Sequence, residues 1–265
     1  MPERGDKEVR VVRGGQRDCG DSDRVALEEP LQLVVNGHAV AVLMRTPGHD
    51  EELSAGFLWT EGIISSPEQI AKVDLETRKN HALVFLDDRV EVDLGRLTRH
   101  LFSASSCGLC GKASIEAITS LHDPVEDGPV FPESSILGAP GSMRSAQETF
   151  EKTGGLHASG MFSREGRLLA LREDIGRHNA LDKLLGWALL HEQDLSENFV
   201  LMSGRLSFEL MQKALAGRLP LVAGISAPSS LAVEFSQESN QTLVGFLRAP
   251  QYNLYNGAER VATGD

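Results

Sequence analysis

Three cysteines in 265 residues are too few for a disulfide-built secreted scaffold. Two of them, Cys107 and Cys110, stand three apart, and the third, Cys19, is distant and lies in a polar N-terminal stretch. Aromatic residues are also scarce, at 5%, and no apolar run approaches the ~20 residues that a membrane helix needs. Residues 1–23 are charged and lack the apolar core of a secretory signal. Cationic excess is missing as well. The 38 acidic residues against 26 basic leave a net charge of −12, which argues against a general binder of nucleic acid or of an anionic membrane surface. The expectation is a cytoplasmic protein of one or two domains, with ample length for a real core and with no nucleic-acid or membrane partner.

Against this background one stretch stands out, Ser105-Ser106-Cys107-Gly108-Leu109-Cys110-Gly111-Lys112. Ile115, Ile118 and Leu121 follow at helical spacing, so the motif is expected on a loop that opens a helix. A thiol there gains from the helix dipole and from the Lys112 cation, both of which favour the thiolate. Gly108 and Gly111 leave the sulfur open to another protein or a large ligand. The pattern is that of a reactive thiol on a mobile loop. Structural zinc needs four ligands, and Cys19 is the only cysteine left to help, so no metal site is expected. A thioredoxin-like pair usually follows a first strand, whereas this one lies in mid-chain between glycines. A P-loop fails because Ser106 and Ala113 stand where glycine and Ser/Thr are required.

The patterning divides the chain into three. Residues 1–28 are polar and Gly-rich, with a short alternation at 9–12, and are expected as a flexible tail or edge strand. Residues 29–104 form a small α+β subdomain with two hairpins. In the first, 31–35 and 39–44 flank Asn36-Gly37, a strong type I′ signal. Asp50 is then expected to cap a helix that Gly62 stops. In the second hairpin, 81–86 turns at Asp87-Asp88 into 90–94, so the front unit reads as antiparallel throughout. Residues 105–265 hold the cysteine loop and an α/β domain. There a Pro/Gly-rich link over 123–132 leads to a helix over 134–152, interrupted at 138–141. Strands are expected at 156–162, 167–171, 199–202, 219–224 and 242–247, with helices at 177–190, 207–216 and 230–238. Strands alternating with helices predict a layered mixed sheet with helices on both faces, an α/β fold overall.

The strand ends carry the chemistry. Gly155 and His157 open one strand; Arg172, Asp174, Arg177 and His178 follow another; Ser203, Gly204 and Arg205 follow a third; and Arg248 ends the last. Arginines at three strand ends of an acidic chain suggest an anionic ligand, most simply phosphate or pyrophosphate. The blander alternative is that Arg172, Glu173, Asp174 and Arg177 merely pair among themselves on a solvated surface. His157-Ala158 invites comparison with the His-x-Glu of zinc deaminases, but Ser159 replaces the glutamate and no cysteine follows position 110, so deaminase chemistry is not expected.

Taken together, Cys107–Lys112, Thr153–His157, Arg172–Ala180 with Asp182-Lys183, Ser203–Arg205 and Thr242–Phe246 resemble the formate dehydrogenase accessory sulfurtransferases, the FdhD family. The resemblance runs from about Glu29 to Tyr255, with the motifs in the family's order. It implies that Cys107 accepts sulfur from a cysteine desulfurase as a persulfide, with Cys110 assisting. It further implies transfer to the molybdenum or tungsten bis-molybdopterin guanine dinucleotide cofactor before that cofactor enters formate dehydrogenase. Contacts to the cofactor are implied at Phe246, Leu247, Arg248, Ala249, Pro250 and Gln251, with GDP or GMP as partial mimics. A C-terminal domain similar in fold to cytidine deaminases, and a homodimer, are implied too. Two other functions compete: a cofactor-binding chaperone that transfers nothing, and a plain dithiol reductase.

Overall fold

The computed structural model describes residues 5–11, 21–90 and 122–263. β1 (Asp6–Val11) pairs antiparallel with β2 (Asp21–Ala26), so these stretches of the N-terminal region take the edge-strand alternative. Asn36-Gly37 then joins β3 (Glu29–Val35) to β4 (His38–Arg45), with Val35 opposite His38. Their φ values of 47° and 83° are the two left-handed steps that a type I′ turn requires and that Asn and Gly tolerate.

Helix α1 (Asp50–Thr60) begins differently from expectation. Its cap position is His49, at φ 59°, and Asp50 is the first helical residue. The Asp50 carboxylate instead accepts two hydrogen bonds of 3.0 and 2.8 Å from Arg45, which is only 2% exposed. A buried guanidinium left without its carboxylate costs about 3–5 kcal/mol, more than the ~1 kcal/mol of a missing cap, so the ion pair wins. Gly62, at φ 70°, ends the helix region as expected.

The second hairpin is also a correction. β6 (His81–Leu86) pairs antiparallel with β5 (Ile70–Asp74) and parallel with β3, giving the order β4-β3-β6-β5. The front sheet is therefore mixed. Of the expected partner strand, Val90 is not in a strand and 91–94 lie outside the described residues.

β7 (Phe131–Pro132) leads into α2 (Glu133–Ala146) and the short α3 (Glu148–Thr153). The break falls at Gln147 and not at 138–141, with Pro140 inside α2. Ile136, Ala139 and Met143 are buried along one stripe of α2, and burying two large apolar side chains at ~1.5–3 kcal/mol each outweighs the ~3 kcal/mol of an interior proline.

The central sheet contains β8 (His157–Ser163), β9 (Leu168–Asp174), β10 (Asn198–Met202), β11 (Leu221–Gly224), β12 (Thr242–Arg248) and β13 (Gln251–Asn256), in the order β13-β12-β11-β10-β8-β9. β10, β11 and β12 run parallel, while β8 opposes β10, β9 opposes β8 and β13 opposes β12. α4 (Arg177–Leu190), α5 (Phe208–Ala216) and α6 (Ser230–Glu238) share one core with one face of this sheet. α2 packs in the core on the other face, where β14 (Val261–Ala262) pairs with β7. The expected mixed sheet with helices on both faces is the one found.

α1 is buried nearly all round, because the front sheet covers one side and α4 the other. The helices cross backbone to backbone. A methyl group on Gly56 would lie 1.8 Å from the carbonyl oxygen of Asp182, and one on Gly186 would lie 1.8 Å from that of Glu52. Buried polar groups flank the crossing. Lys213 Nζ donates to Thr60 Oγ1 (2.8 Å), Glu61 Oε1 (3.0 Å) and Asp182 Oδ2 (3.0 Å), and Thr60 Oγ1 donates to Asp182 Oδ1 (2.8 Å). Gly186→Ala must separate the helices, since the obstacle is backbone. The expected loss is at the upper end of the ~1–3 kcal/mol typical of overpacking, or a fall in Tm of roughly 6–12 °C. Gly138→Ala, with nothing within 4 Å of the added methyl, should hold or raise Tm in the same calorimetric scan. Equal Tm values for the two variants would show that the crossing does not need glycine.

Candidate functional site

His157 at the start of β8 lies opposite Asp174 at the end of β9, and Ser159 of β8 lies opposite Met202 at the end of β10. Because β11 and β12 run parallel to β10, their C-terminal ends reach the same edge of the sheet. His157, Arg177, His178, Ser203, Gly204, Arg205 and the segment from Phe246 to Gln251 are thus brought to one edge. At ~4.8 Å per strand, that edge is roughly 19 Å long from β9 to β12. Ligands of α/β sheets bind at such strand ends. Gly155 lies just outside β8, exposed, with Ala26 of β2 beside it.

Three residues of the expected site have their side chains occupied elsewhere. Arg172 makes a two-pronged pair with Glu52 of α1 and lies 6.0 Å from the Trp187 ring. Burial alone would raise the Glu52 carboxyl, but hydrogen bonds from Arg172 and His49 and their charges hold it at about 2. Asp174 is 0% exposed. Its carboxylate accepts from Thr46 N (3.1 Å), Gly176 N (2.8 Å) and Asn179 Nδ2 (3.0 Å) and pairs with Lys183 at 2.7 Å. Leu247 lies wholly in the core on the α2 side. Arg172 and Asp174 therefore brace the edge from behind, and Leu247 anchors the strand.

Arg177, Arg205 and Arg248 are different: among the described residues none of them forms an ion pair, although the Glu209 charge acts on Arg177, whereas Arg45 and Arg172 are both paired. The Arg177 stem runs beside Gly204 and His157. A methyl on Gly204 would lie 3.3 Å from His157 Nδ1 and 3.8 Å from Arg177 Cδ. Ser203 is knitted to β8, its Oγ accepting from Ala158 N and its amide donating to Ala158 O, both at 2.9 Å. Phe246 is 43% exposed at φ 51°, its amide donating to Ser226 O at 3.1 Å. Arg248, Ala249, Pro250 and Gln251 continue as an exposed rim.

Both histidines are held neutral. Burial lowers the His157 pKa, and the Arg177 charge adds to this against the opposing pull of Asp174. Burial takes His178 down to about 4, helped by the Lys213 and Arg177 charges and opposed by Glu209 and Glu61. Unpaired guanidiniums beside neutral imidazoles suit an anion that also carries hydrogen-bonding groups.

Two residues outside the expected contact set matter here. Ser226 lies two residues past an expected strand, and Asn179 lies inside the Arg172–Ala180 motif, but its reach to Met44 O (2.8 Å) in the front unit shows only in the fold. Cys107 and Cys110 lie outside the described residues. Among the described residues no group of three or more His, Cys, Asp or Glu could hold a metal ion, and no helix is long and apolar enough to cross a membrane.

The family model described as FdhD/NarQ matches residues 26–262. The chain belongs to the FdhD/NarQ family. A relative named sulfur carrier protein FdhD from Mycolicibacterium paratuberculosis is 45% identical over 251 residues, covering 90% of this chain and 92% of its own. One of the same name from Sulfolobus acidocaldarius is 38% identical over 255 residues, covering 96% of both. Among solved structures, a candidate formate dehydrogenase accessory protein from Desulfotalea psychrophila matches with a TM-score of 0.78 at 26% identity, over 97% of this chain and 98% of its own.

In this FdhD/NarQ chain the neutrality of His178 has a consequence for stability. The unfolded imidazole titrates near ~6.5 and the folded one near about 4, so the unfolded state binds the extra proton first. The stabilisation is complete above the unfolded value and is lost as pH falls toward the folded one, by up to about 3 kcal/mol. His178→Gln should therefore flatten the fall of Tm between pH 7 and 4.5, read by calorimetry. Parallel profiles for wild type and variant would mean that His178 protonates freely in the fold.

Proposed function

We propose that this chain is a sulfur carrier for formate dehydrogenase maturation. It takes sulfur as a persulfide on Cys107 and delivers it to a molybdenum or tungsten bis-molybdopterin guanine dinucleotide, which is its substrate. The observation that carries the ligand half of this reading is the set of three arginines along one sheet edge that form no ion pair among the described residues, in a chain with net charge −12. Two pyrophosphates of a guanine dinucleotide suit such an edge, and an exposed Phe246 offers a face to a base. The names borne by the relatives support the sulfur half. A cytidine-deaminase-like C-terminal domain belongs to the same proposal.

The loading step is thiol exchange. The Cys107 thiolate attacks the outer sulfur of the persulfide on a cysteine desulfurase; a new S–S bond forms, the old one breaks, and the desulfurase thiolate leaves. Attack by the Cys110 thiolate on the inner sulfur would then expel the outer one as sulfide and leave a Cys107–Cys110 disulfide, to be reset by a dithiol reductant. The zero-valent sulfur gains two electrons and the two thiols lose them. A cytoplasmic homodimer is the form proposed to act.

Intact mass measurement after incubation with a desulfurase and cysteine tests the carrier. Wild type should gain one reductant-labile sulfur, Cys107→Ala none, and Cys110→Ala should load yet deliver poorly. A Cys107→Ala variant that still loads, or that still activates the dehydrogenase, would favour a pure cofactor chaperone. For the ligand half, GDP or GMP should bind, and Arg248→Ala or Arg205→Ala should weaken GDP roughly ten- to a hundredfold, since one charged contact is worth about 1.5–3 kcal/mol.

A further inference from the structure

The three unpaired arginines are not equivalent. Arg205 and Arg248 are exposed, whereas Arg177 is partly enclosed, with its stem against Gly204 and His157. Its Nε is buried and has no hydrogen-bond partner among the described residues. Such a donor is uncommon in a folded chain and is satisfied by a water, an ion or a ligand. The backbone on either side of Arg177 is locked, since the Asp174 carboxylate takes both the Gly176 amide (2.8 Å) and the Asn179 side chain (3.0 Å). Lys183, at 2.7 Å, balances that carboxylate, so Asp174 is already matched; the carboxylate whose charge acts on Arg177 is Glu209, in the first turn of α5, which forms no ion pair with it. Because residue 204 has no side chain, the His157 ring and the Arg177 stem pack close to its backbone and are held together there. α4 and α5 both begin at this edge and present their N-terminal ends to it.

We infer that Arg177 is the enclosed phosphate contact of the edge, with Arg205 and Arg248 reaching the phosphates from the rim, and that Arg177, His157 and the Gly204 backbone form the inner subsite for the phosphoryl end of the ligand. The nucleoside end lies toward β12. This assignment rests on the nucleotide reading above and adds an orientation to it. Three strand spacings, roughly 14 Å, separate β8 from β12, a gap that a nucleotide bridges and a lone phosphate does not. The neutral His157 contributes a hydrogen bond and no charge, so the phosphoryl charge is met by Arg177, by the rim arginines and by the N-terminal end of α4, while Glu209 offsets the end of α5.

Calorimetric titration of the full chain with guanosine, GMP, GDP and inorganic pyrophosphate tests the orientation. Wild type should bind GDP more tightly than guanosine. Arg177→Ala should lose ten- to a hundredfold of GDP affinity and all measurable pyrophosphate binding, while guanosine affinity changes less than threefold. Arg177→Gln, which keeps the stem against Gly204 and His157, should show the same selective loss and guards against a folding artefact. Loss of guanosine and GDP affinity by the same factor, or unchanged GDP affinity in both variants, would overturn the subsite while leaving the nucleotide reading in place. If wild type binds none of the four probes, the nucleotide reading fails and the subsite with it.

Discussion

Where α1 crosses α4, the backbone of Gly56 lies against the carbonyl of Asp182 and that of Gly186 against the carbonyl of Glu52. Ordinary helix pairs keep ~8–10 Å between axes because side chains intervene. Here the side chains are removed at the crossing, and those a turn away are forced into contact. The consequence is a set of buried ionic groups that a wider crossing would not allow: Lys213 with Asp182, Glu61 and Thr60, and Glu52 with Arg172. Removing one member strands another in a place without water, at about 3–5 kcal/mol. Apolar burial between the two cores tolerates sliding, whereas these donors and acceptors do not. The close crossing therefore sets both the distance and the register at which the front unit sits on the α/β domain.

That register reaches the ligand edge. The end of β4 and the loop after it supply Met44 O to Asn179, Thr46 N to Asp174 and Thr46 O to Lys183. Three backbone groups of the front unit thus satisfy side chains of the segment that carries Arg177. The loop is not a free surface feature of the sheet. It is clamped from behind by another subdomain, which explains how an arginine can be held out unpaired without collapsing onto the nearest carboxylate.

Much of this was legible in the residues, and the gaps have physical causes. Asn36-Gly37 fixes its turn through local backbone preference alone, and the strand–helix alternation beyond residue 156 follows from burial periodicity. β5, β13 and β14 were missed because their pairing is decided by distant partners: Ile70-Ala-Lys-Val-Asp74 alternates weakly, and β13 is held by β12 and not by its own pattern. Asp50 was misread as a cap because Arg45, its true partner, is buried by tertiary packing that no local pattern reveals. The same limit applied to the edge. The sequence shows arginines at strand ends, but only the fold tells the braced Arg172 from the unpaired Arg177. The Cys107–Cys110 motif, the clearest chemical signal in the sequence, lies outside the described residues, so the fold informs the ligand edge and not the thiols.

The placement of these arginines also resolves an apparent conflict between a net charge of −12 and an anionic ligand. Screening at physiological salt limits the reach of a surface charge to ~8 Å, so the field at the edge is set by its own residues and not by the chain's total. Along roughly 19 Å, Arg177, Arg205 and Arg248 form no ion pair among the described residues, while Glu52 and Asp174 behind them are matched, so three arginines stand against the single charge of Glu209. A polymer such as DNA or RNA needs a longer positive track than this one. An anion the length of a nucleotide meets only the edge. On the proposed reading the short stretch therefore selects by length: it matches a compact anion and offers an extended polyanion too few contacts.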